Sequence, residues 1–427
     1  MSYPPDSSPL AIVRVRLPLW LVAPLLGVTL FLGIVGGLAA GYVFIRPASC
    51  PDTPQVCQEF SAFWDTWKIA RNNFVDPQAI DSQKMIDGAI NGMLDTLGDQ
   101  GHTRYLSAEE ATSWDESLSG SFEGIGAYID VRDGQTVIVS PIEGSPAEQA
   151  GLRPGDAILA VDDKSTEGWS VQELATNVRG PAGTAVTLRI LHVGEETPLD
   201  VSITRAKVVV PSVSWRMLPD NVALLRLSSF DRNSGDQMRQ ALQEAKDKGA
   251  RAVILDLRNN PGGLLDEAVS VAGQFLPEGT TVLLEANRSG DRTPTKTKGG
   301  GVAIDMPLVV LINHNSASSS EILSGALQDA KRATLVGEPT FGTGTVLTPY
   351  RIDGGGRLLL GTQQWLTPDG RLIRGQGIAP DEQVDLPVDV APLSPAEAGD
   401  LSLDQLRSGA DVQLSRAIDL AAQAASR

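Results

Sequence analysis

Cysteine and histidine are scarce in this chain. Two cysteines, Cys50 and Cys57, in 427 residues cannot build a disulfide framework or a four-cysteine zinc site. The three histidines, His102, His192 and His314, are scattered and match no metal-ligand spacing, so neither a metal nor an organic cofactor is implied. Positive charge is also short, with 35 Lys and Arg against 52 Asp and Glu and a net charge of -17. A nucleic-acid protein needs a basic stripe to neutralise phosphates; none is visible, and that class is set aside. No internal repeat is evident. The chain is 42% hydrophobic and 20% charged, which fits a folded protein. Its length allows roughly two to four domains.

One segment departs from this average. From Leu17 to Ile45 no side chain is charged, over 29 residues, where about 20 suffice to span a bilayer. Gly33, Gly36, Gly37 and Gly41 suit a membrane helix better than a soluble one. A cleaved signal peptide would carry a shorter apolar region, and Ala39-Ala40-Gly41 is a weak cleavage match. Arg14 and Arg16 precede the run, and the positive-inside bias then leaves residues 1–16 in the cytoplasm. The expectation is a single-pass transmembrane anchor over 17–45, with everything after it extracytoplasmic (periplasmic or extracellular). Cys50 and Cys57 would lie where a disulfide can persist; a bridge and two unpaired thiols both remain open.

Residues 46–60 read as a Pro-containing linker, followed by a helical region over 61–113. Phe60, Phe63, Trp64, Trp67 and Phe74 fall near helical spacing, and Ile80, Ile86, Ile90, Met93, Leu94 and Leu97 form a second amphipathic pattern stopped by Gly98. The pair is expected to make a small helical layer with the aromatics as core. Over 114–207 the pattern changes to short β-rich runs, among them 126–131, 136–140, 157–161 and 187–191. Gly124-Ile125-Gly126-Ala127 opens the segment, and Gly151-Leu152 leads through Pro154-Gly155-Asp156 into Ala157–Val161. That order resembles a PDZ domain of the kind carried by bacterial proteases. A glycine-rich loop ahead of an edge strand offers N–H groups to a peptide's terminal carboxylate, and the peptide adds as an extra strand. Gly124, Ile125, Gly126 and Ala127 are the expected peptide-binding residues.

From 208 to 391 strands and helices alternate. Val222–Leu227, Ala252–Leu257 and Leu308–Ile312 are apolar runs suited to strands buried on both faces, with helices over 236–248 and 321–330. A helical tail over 392–427 contains an amphipathic stretch at 411–424. Two strand ends carry possible chemistry. In Asp256-Leu257-Arg258-Asn259-Asn260-Pro261-Gly262-Gly263, paired glycines allow close backbone approach and aim N–H groups at developing negative charge. In Asn313-His314-Asn315-Ser316-Ala317-Ser318-Ser319-Ser320-Glu321, a serine stands at a helix start, where unsatisfied N–H groups favour an oxyanion. Ser318 and Glu321 also have the spacing of a capping box, a role compatible with a nucleophile.

Taken together, the sequence resembles the C-terminal processing (tail-specific) serine peptidase family over roughly 61–424. The matching blocks include Leu97-Gly98-Asp99 with His102-Thr103-Arg104-Tyr105-Leu106, the PDZ segment, the Gly262-Gly263 turn and Ser316–Ile322. They continue through Gly337-Glu338-Pro339-Thr340-Phe341-Gly342, Leu366–Arg371 and Gly377–Asp381. The resemblance implies a multidomain α+β and α/β protein: a PDZ domain beside a β/α core related to the crotonase-like fold, acting on protein C-termini through a Ser-Lys dyad. It places the nucleophile on Ser318, with oxyanion donors at the N–H of Ser319 and of Gly262 or Gly263. The base lysine and its supporting glutamine fall on Thr343 and Leu347, so both members of the activating pair are replaced. Threonine accepts no proton near neutral pH. The candidate substitutes are His102, whose block resembles the His-bearing motif of tricorn-like relatives, then His314, with Lys296, Lys298 and Lys331 behind them. The expectation is a membrane-anchored serine endopeptidase with a variant base; the alternative is a silent relative that only binds C-termini. The oligomeric state is not legible.

Overall fold

The structure is a computed structural model that describes residues 52–99, 102–132 and 135–426. The expected anchor over 17–45 and Cys50 lie outside the described residues. No helix among the described residues is long and apolar enough to cross a membrane. Cys57 takes part in a disulfide.

The chain divides at Ser82 into two units. The first contains the helix Pro54–Asn73, with Pro54 at its first turn and the Thr53 hydroxyl accepting from Val56 N–H. It therefore begins inside the stretch read as linker. None of its residues is buried, and Phe60 and Trp64 are about half exposed, so the aromatic stripe is not core. Residues three and four apart share a helix face, and the rings meet one another instead. Phe63 lies 5.8, 5.1 and 6.2 Å from the ring centres of Phe60, Trp64 and Trp67. Phe74 falls just past the helix end.

The second unit runs from Gln83 to the C-terminus. Its first helix, Ser82–Asp95, stops before Gly98, which adopts φ +67°. The region read as helical also contains a strand, Arg104–Leu106, and then the helix Ala108–Ser119, capped by Ser107 and Glu110. The β-rich segment folds as expected into a small antiparallel sheet with Ala127–Arg132 at its edge, followed by Gln135–Pro141, Ala157–Val161, Ala185–Leu191 and Leu199–Thr204. The helix Val171–Val178 buries Leu174 and Val178 in the same core as Ile138, Ile158, Leu188 and Ile190.

The apolar runs become the centre of a six-stranded sheet. Val222–Leu227, Ala252–Asp256, Leu308–Ile312, Thr334–Gly337 and Glu382–Gln383 are parallel neighbours, and Val213–Leu218 closes one edge antiparallel. Every residue of Ala252–Asp256 and Leu308–Ile312 is buried because both faces are covered. Alternation along the strands sorts the core. Val253, Leu255, Val310 and Ile312 meet the helices Ser234–Asp247, Leu265–Phe275 and Ser319–Asp329. Ile254, Val309 and Leu311 meet Leu414, Ala417, Ile418 and Ala421 of the tail helix Val412–Ala425.

A second sheet was not legible in the sequence. Its long strand Arg357–Leu366 is flanked on one side by Thr345–Arg351 and on the other by Arg104–Leu106 and Thr281–Ala286, with Arg292–Lys296 beyond. Arg104 pairs with Leu359 and Thr345 with Gln364, so this sheet carries the His102 segment to the edge of the core.

Candidate active site

The turn after Ala252–Asp256 is held from beneath by a buried cation. The Arg258 guanidinium donates to both Asp256 oxygens at 2.9 Å, to Asp411 at 2.8 Å and to Gln413 at 3.1 Å. Burial opposes the charge on Arg258, but Asp256 and Asp411 outweigh it and raise its pKa. Burial would likewise raise Asp256, yet Arg258 and Arg226 hold its carboxyl below the usual value of 3.8. With its base fixed, the turn passes Asn259 at φ +60°, Gly262 at +100° and Gly263 at +143°. A Cβ on Gly262 would stand 2.5 Å from Ser318 Cβ and 2.9 Å from Ser319 N, so only glycine allows this approach.

The second strand end delivers Ser318. Asn313 and Asn259 are cross-bonded between the two turns, at 2.9 Å from Asn259 N to Asn313 Oδ1 and 2.8 Å from Asn313 Nδ2 to Asn259 Oδ1. Ala317 N–H and Ser320 Oγ both donate to Asn260 O, at 3.0 Å. Ser318 itself sits at φ +57°, ψ -120°, a strained position for a residue with a side chain. Half of the expected capping box forms. Ser318 N–H donates to Glu321 Oε2 at 2.9 Å, but Glu321 N–H goes to the Ser318 carbonyl at 2.8 Å, leaving the hydroxyl without a cap bond.

Among the described residues, two N–H groups that line the same cavity as Ser318 have no acceptor. Gly262 N–H is taken by Asn260 Oδ1 at 2.8 Å. Among the described residues Gly263 N–H and Ser319 N–H find no acceptor, the latter because the first helical residue has no partner within its own helix. Glu321 is fully buried and fully engaged: it accepts from Thr340 Oγ1 at 2.7 Å, Gly342 N at 2.6 Å, Thr343 N at 3.0 Å and Thr343 Oγ1 at 2.6 Å. The Thr343 oxygen in turn accepts Ser318 N–H at 2.9 Å. Its proton and a lone pair are thus both committed, beside the serine. Leu347 packs with Leu106, Ala111 and Leu359.

Ser318 opens onto a cavity of about 580 Å³ whose walls include Gly262, Gly263, Ser319, Thr345 and His102. The remaining wall is largely apolar, with Phe230, Leu265, Leu347 and Trp365. Among the described residues, His102 and Arg104 are the only basic side chains lining it, and no lysine does. His102 donates or accepts at Nδ1 with Thr345 Oγ1 at 2.7 Å. Burial lowers its pKa from 6.5, with Arg104 adding to the effect and Asp99 opposing it, so the neutral imidazole is favoured. His314 is exposed, 5.6 Å from the Phe341 ring, and does not line the cavity. Lys296, Lys298 and Lys331 do not line it either.

A second cavity, of about 590 Å³, follows the edge strand Ala127–Arg132 and the helix Val171–Val178, with Ile125, Gly126, Ala127, Tyr128, Ala175 and Val178 among its walls. Gly126 adopts φ +79°, and a Cβ there would meet Ser145 Cβ at 2.5 Å. Among the described residues, the Ile125 and Gly126 N–H groups find no backbone acceptor. Ser117 and Ser229 line both cavities, so the two meet along the helix Ala108–Ser119.

Comparison with known proteins decides the family. The chain is 37% identical over 376 residues to a probable CtpA-like serine protease of Staphylococcus aureus, covering 88% of this chain and 74% of that protein. It belongs to peptidase family S41. The family model itself matches residues 221–384, and a PDZ domain model matches 137–191. The carboxy-terminal processing protease CtpA of Bacillus subtilis is 38% identical over 310 residues, 73% of this chain and 66% of that protein. A putative S41 protease from Bacteroides fragilis shares the fold at TM-score 0.50 and 17% identity, over 80% of this chain and 92% of that one. The chain is therefore a serine-type C-terminal processing peptidase by family, with a PDZ domain beside the S41 core.

Sequence reasoning missed Asp99 and Thr345 as residues around His102. Asp99 stands within one of the quoted family blocks, three residues before the histidine, and that proximity was the available signal. Thr345 is 243 residues away from His102 and carried none.

Proposed function

We propose that this S41 peptidase is anchored by residues 17–45, works outside the cytoplasmic membrane, binds protein C-termini in its PDZ groove and cleaves peptide bonds with Ser318. The terminal carboxylate docks on the free Ile125 and Gly126 N–H groups and the peptide pairs with Ala127–Arg132. The shared wall at Ser117 and Ser229 lets the same chain continue to Ser318.

At the serine, the hydroxyl oxygen attacks the scissile carbonyl carbon while its proton passes to a base. The C=O electron pair becomes an oxyanion held by Gly263 and Ser319 N–H. Each such donor is worth about 10²–10³ in rate. The base then protonates the leaving amine as the C–N bond breaks, and water releases the acyl group. Thr343 and Leu347 replace the lysine and glutamine of the family, and losing a base outright costs about 10⁶-fold. His102 takes that role in our reading. The observation that carries it is an imidazole, its pKa lowered by burial, lining the Ser318 cavity where no lysine among the described residues does.

One observation favours the silent alternative: Thr343 ties up Ser318 N–H and Glu321, filling the lysine position with a closed set of hydrogen bonds. The two readings part on cleavage of an unstructured protein by the wild type, Ser318→Ala and Thr343→Lys. Serine-dependent cleavage by the wild type supports the peptidase. A silent wild type with activity gained in Thr343→Lys supports the binding module.

A further inference from the structure

His102 is not held by packing alone. Its Nδ1 lies 2.7 Å from Thr345 Oγ1. Thr345 Oγ1 lies in turn 3.3 and 3.2 Å from the two oxygens of Asp99, which is buried. Asp99 also accepts from Thr103 Oγ1 at 2.6 Å and faces Arg374, whose Nε is 3.4 Å from Oδ1. A carboxylate only accepts hydrogen bonds, and a hydroxyl has one proton to give. With both Asp99 oxygens facing it, the Thr345 proton points to Asp99. Only a lone pair is then left for the histidine, and Nδ1 must carry the hydrogen.

We propose that Thr345 and Asp99 are positioning residues that lock His102 as the Nδ1–H tautomer and so leave its Nε2 lone pair as the acceptor for the Ser318 proton. The inference rests on the reading of Ser318 and His102 given above. In the step, Ser318 Oγ–H transfers its proton to Nε2 as the new C–O bond forms, and the Nδ1–H···Thr345–Oγ–H···Asp99 chain keeps its own protons throughout. The imidazolium is stabilised through the threonine dipole and the Asp99 charge beyond it, and Nε2–H then protonates the leaving amine. Two backbone features make room for the arrangement. A Cβ on Gly361 would stand 2.9 Å from Asp99 Oδ2, 3.1 Å from Thr345 Cβ and 3.2 Å from Thr103 Oγ1. Gly361 N–H also donates to Thr103 Oγ1 at 2.9 Å, so the strand holds the threonine that holds the aspartate.

The test reads the tautomer directly. With only three histidines in the chain, histidine labelled with nitrogen-15 in the full-length protein gives a spectrum that separates the two imidazole tautomers, and His102→Gln identifies the signal. The wild type is expected to show Nδ1–H at His102. In Asp99→Asn the carboxamide can donate to Thr345, which turns its proton to Nδ1 and moves the imidazole to Nε2–H. Cleavage should then fall about 10²–10⁴-fold, as when a triad histidine is held in the wrong tautomer. Thr345→Val should fall comparably, and Thr345→Ser, which keeps the hydroxyl, should restore cleavage to within a few-fold of the wild type. An Nε2–H imidazole in the wild type overturns the proposal, as does full cleavage by Thr345→Val. If Ser318→Ala is dead while both relay variants cleave normally, the relay fails and the peptidase stands. If the wild type shows Nδ1–H but cleaves nothing, the relay stands and the reading of His102 as base fails.

Discussion

Replacing Arg258 by methionine tests whether the turn that presents Gly262 and Gly263 is held by its buried ion network. Methionine keeps much of the apolar stem and removes the bonds to both Asp256 oxygens, Asp411 and Gln413. Removing one partner of a buried pair typically costs about 3–5 kcal/mol, because the remaining charge is stranded. Here neither carboxylate is wholly abandoned. Asp256 keeps Arg226 at 2.8 Å and the residue 258 backbone N–H at 3.0 Å, and Asp411 keeps Leu393 N and Leu414 N at 3.0 Å. The cost should therefore lie at the low end, about 3 kcal/mol, read as a lower urea midpoint in equilibrium unfolding. A pH series adds a signed check. The Asp256 carboxyl has a lowered pKa in the fold, so its contribution is fully present above the unfolded value of 3.8 and is lost as pH falls through the lower, folded value. Without Arg258 that folded value rises toward the unfolded one, so this carboxyl has less stability to lose below 3.8 and the acid-dependent slope should shrink. A cost under about 1 kcal/mol, or acid unfolding indistinguishable from the wild type, would refute the account of the network as the anchor of this turn.

Three further outcomes follow from the site. Gly262→Ala puts a Cβ 2.5 Å from Ser318 Cβ at φ +100°, so we expect a stability loss of about 2 kcal/mol or more and no serine-dependent cleavage; a stable, active variant would show that the turn can move away. Ala175→Trp fills the PDZ groove from the helix Val171–Val178 and should abolish binding of peptides with free C-termini without lowering the melting temperature; amidating the peptide should mimic it, and equal affinity for both peptide forms would remove the groove from the mechanism. Because burial lowers the pKa of His102 below 6.5, the acid limb of the cleavage rate should fall below that pH. The same shift makes His102 destabilising as pH drops from 6.5 toward its folded value, since the unfolded chain then binds the extra proton, and His102→Gln should remove that slope.

Much of the core was legible because its signals are local. Ala252–Asp256 and Leu308–Ile312 read as doubly buried strands from their unbroken apolar composition, and the helices beginning at Ser234 and Ser319 from their period. The glycine-rich turns of both the PDZ segment and the strand end at Asp256 stood out because the residues themselves are unusual. The aromatic helix Pro54–Asn73 misled, since spacing reports which side chains share a face and not whether anything covers that face. The second sheet went unseen because its strand Arg357–Leu366 has no long apolar run and is defined by its partners.

The same division runs through the site. By itself the sequence determined that Ser318 opens a helix and that paired glycines end the neighbouring strand, because each of these is a matter of residue type and short spacing. Only the tertiary structure decided which turn N–H is free, giving Gly263 where Asn260 claims Gly262. It alone separated His102, lining the serine's cavity, from His314, exposed outside it although four residues from Ser318 in the chain. It also assembled Asp99, Thr345 and His102. Hydrogen bonds act over about 3 Å of space, whatever the number of residues between their partners, and only the folded sheets bring these groups that close.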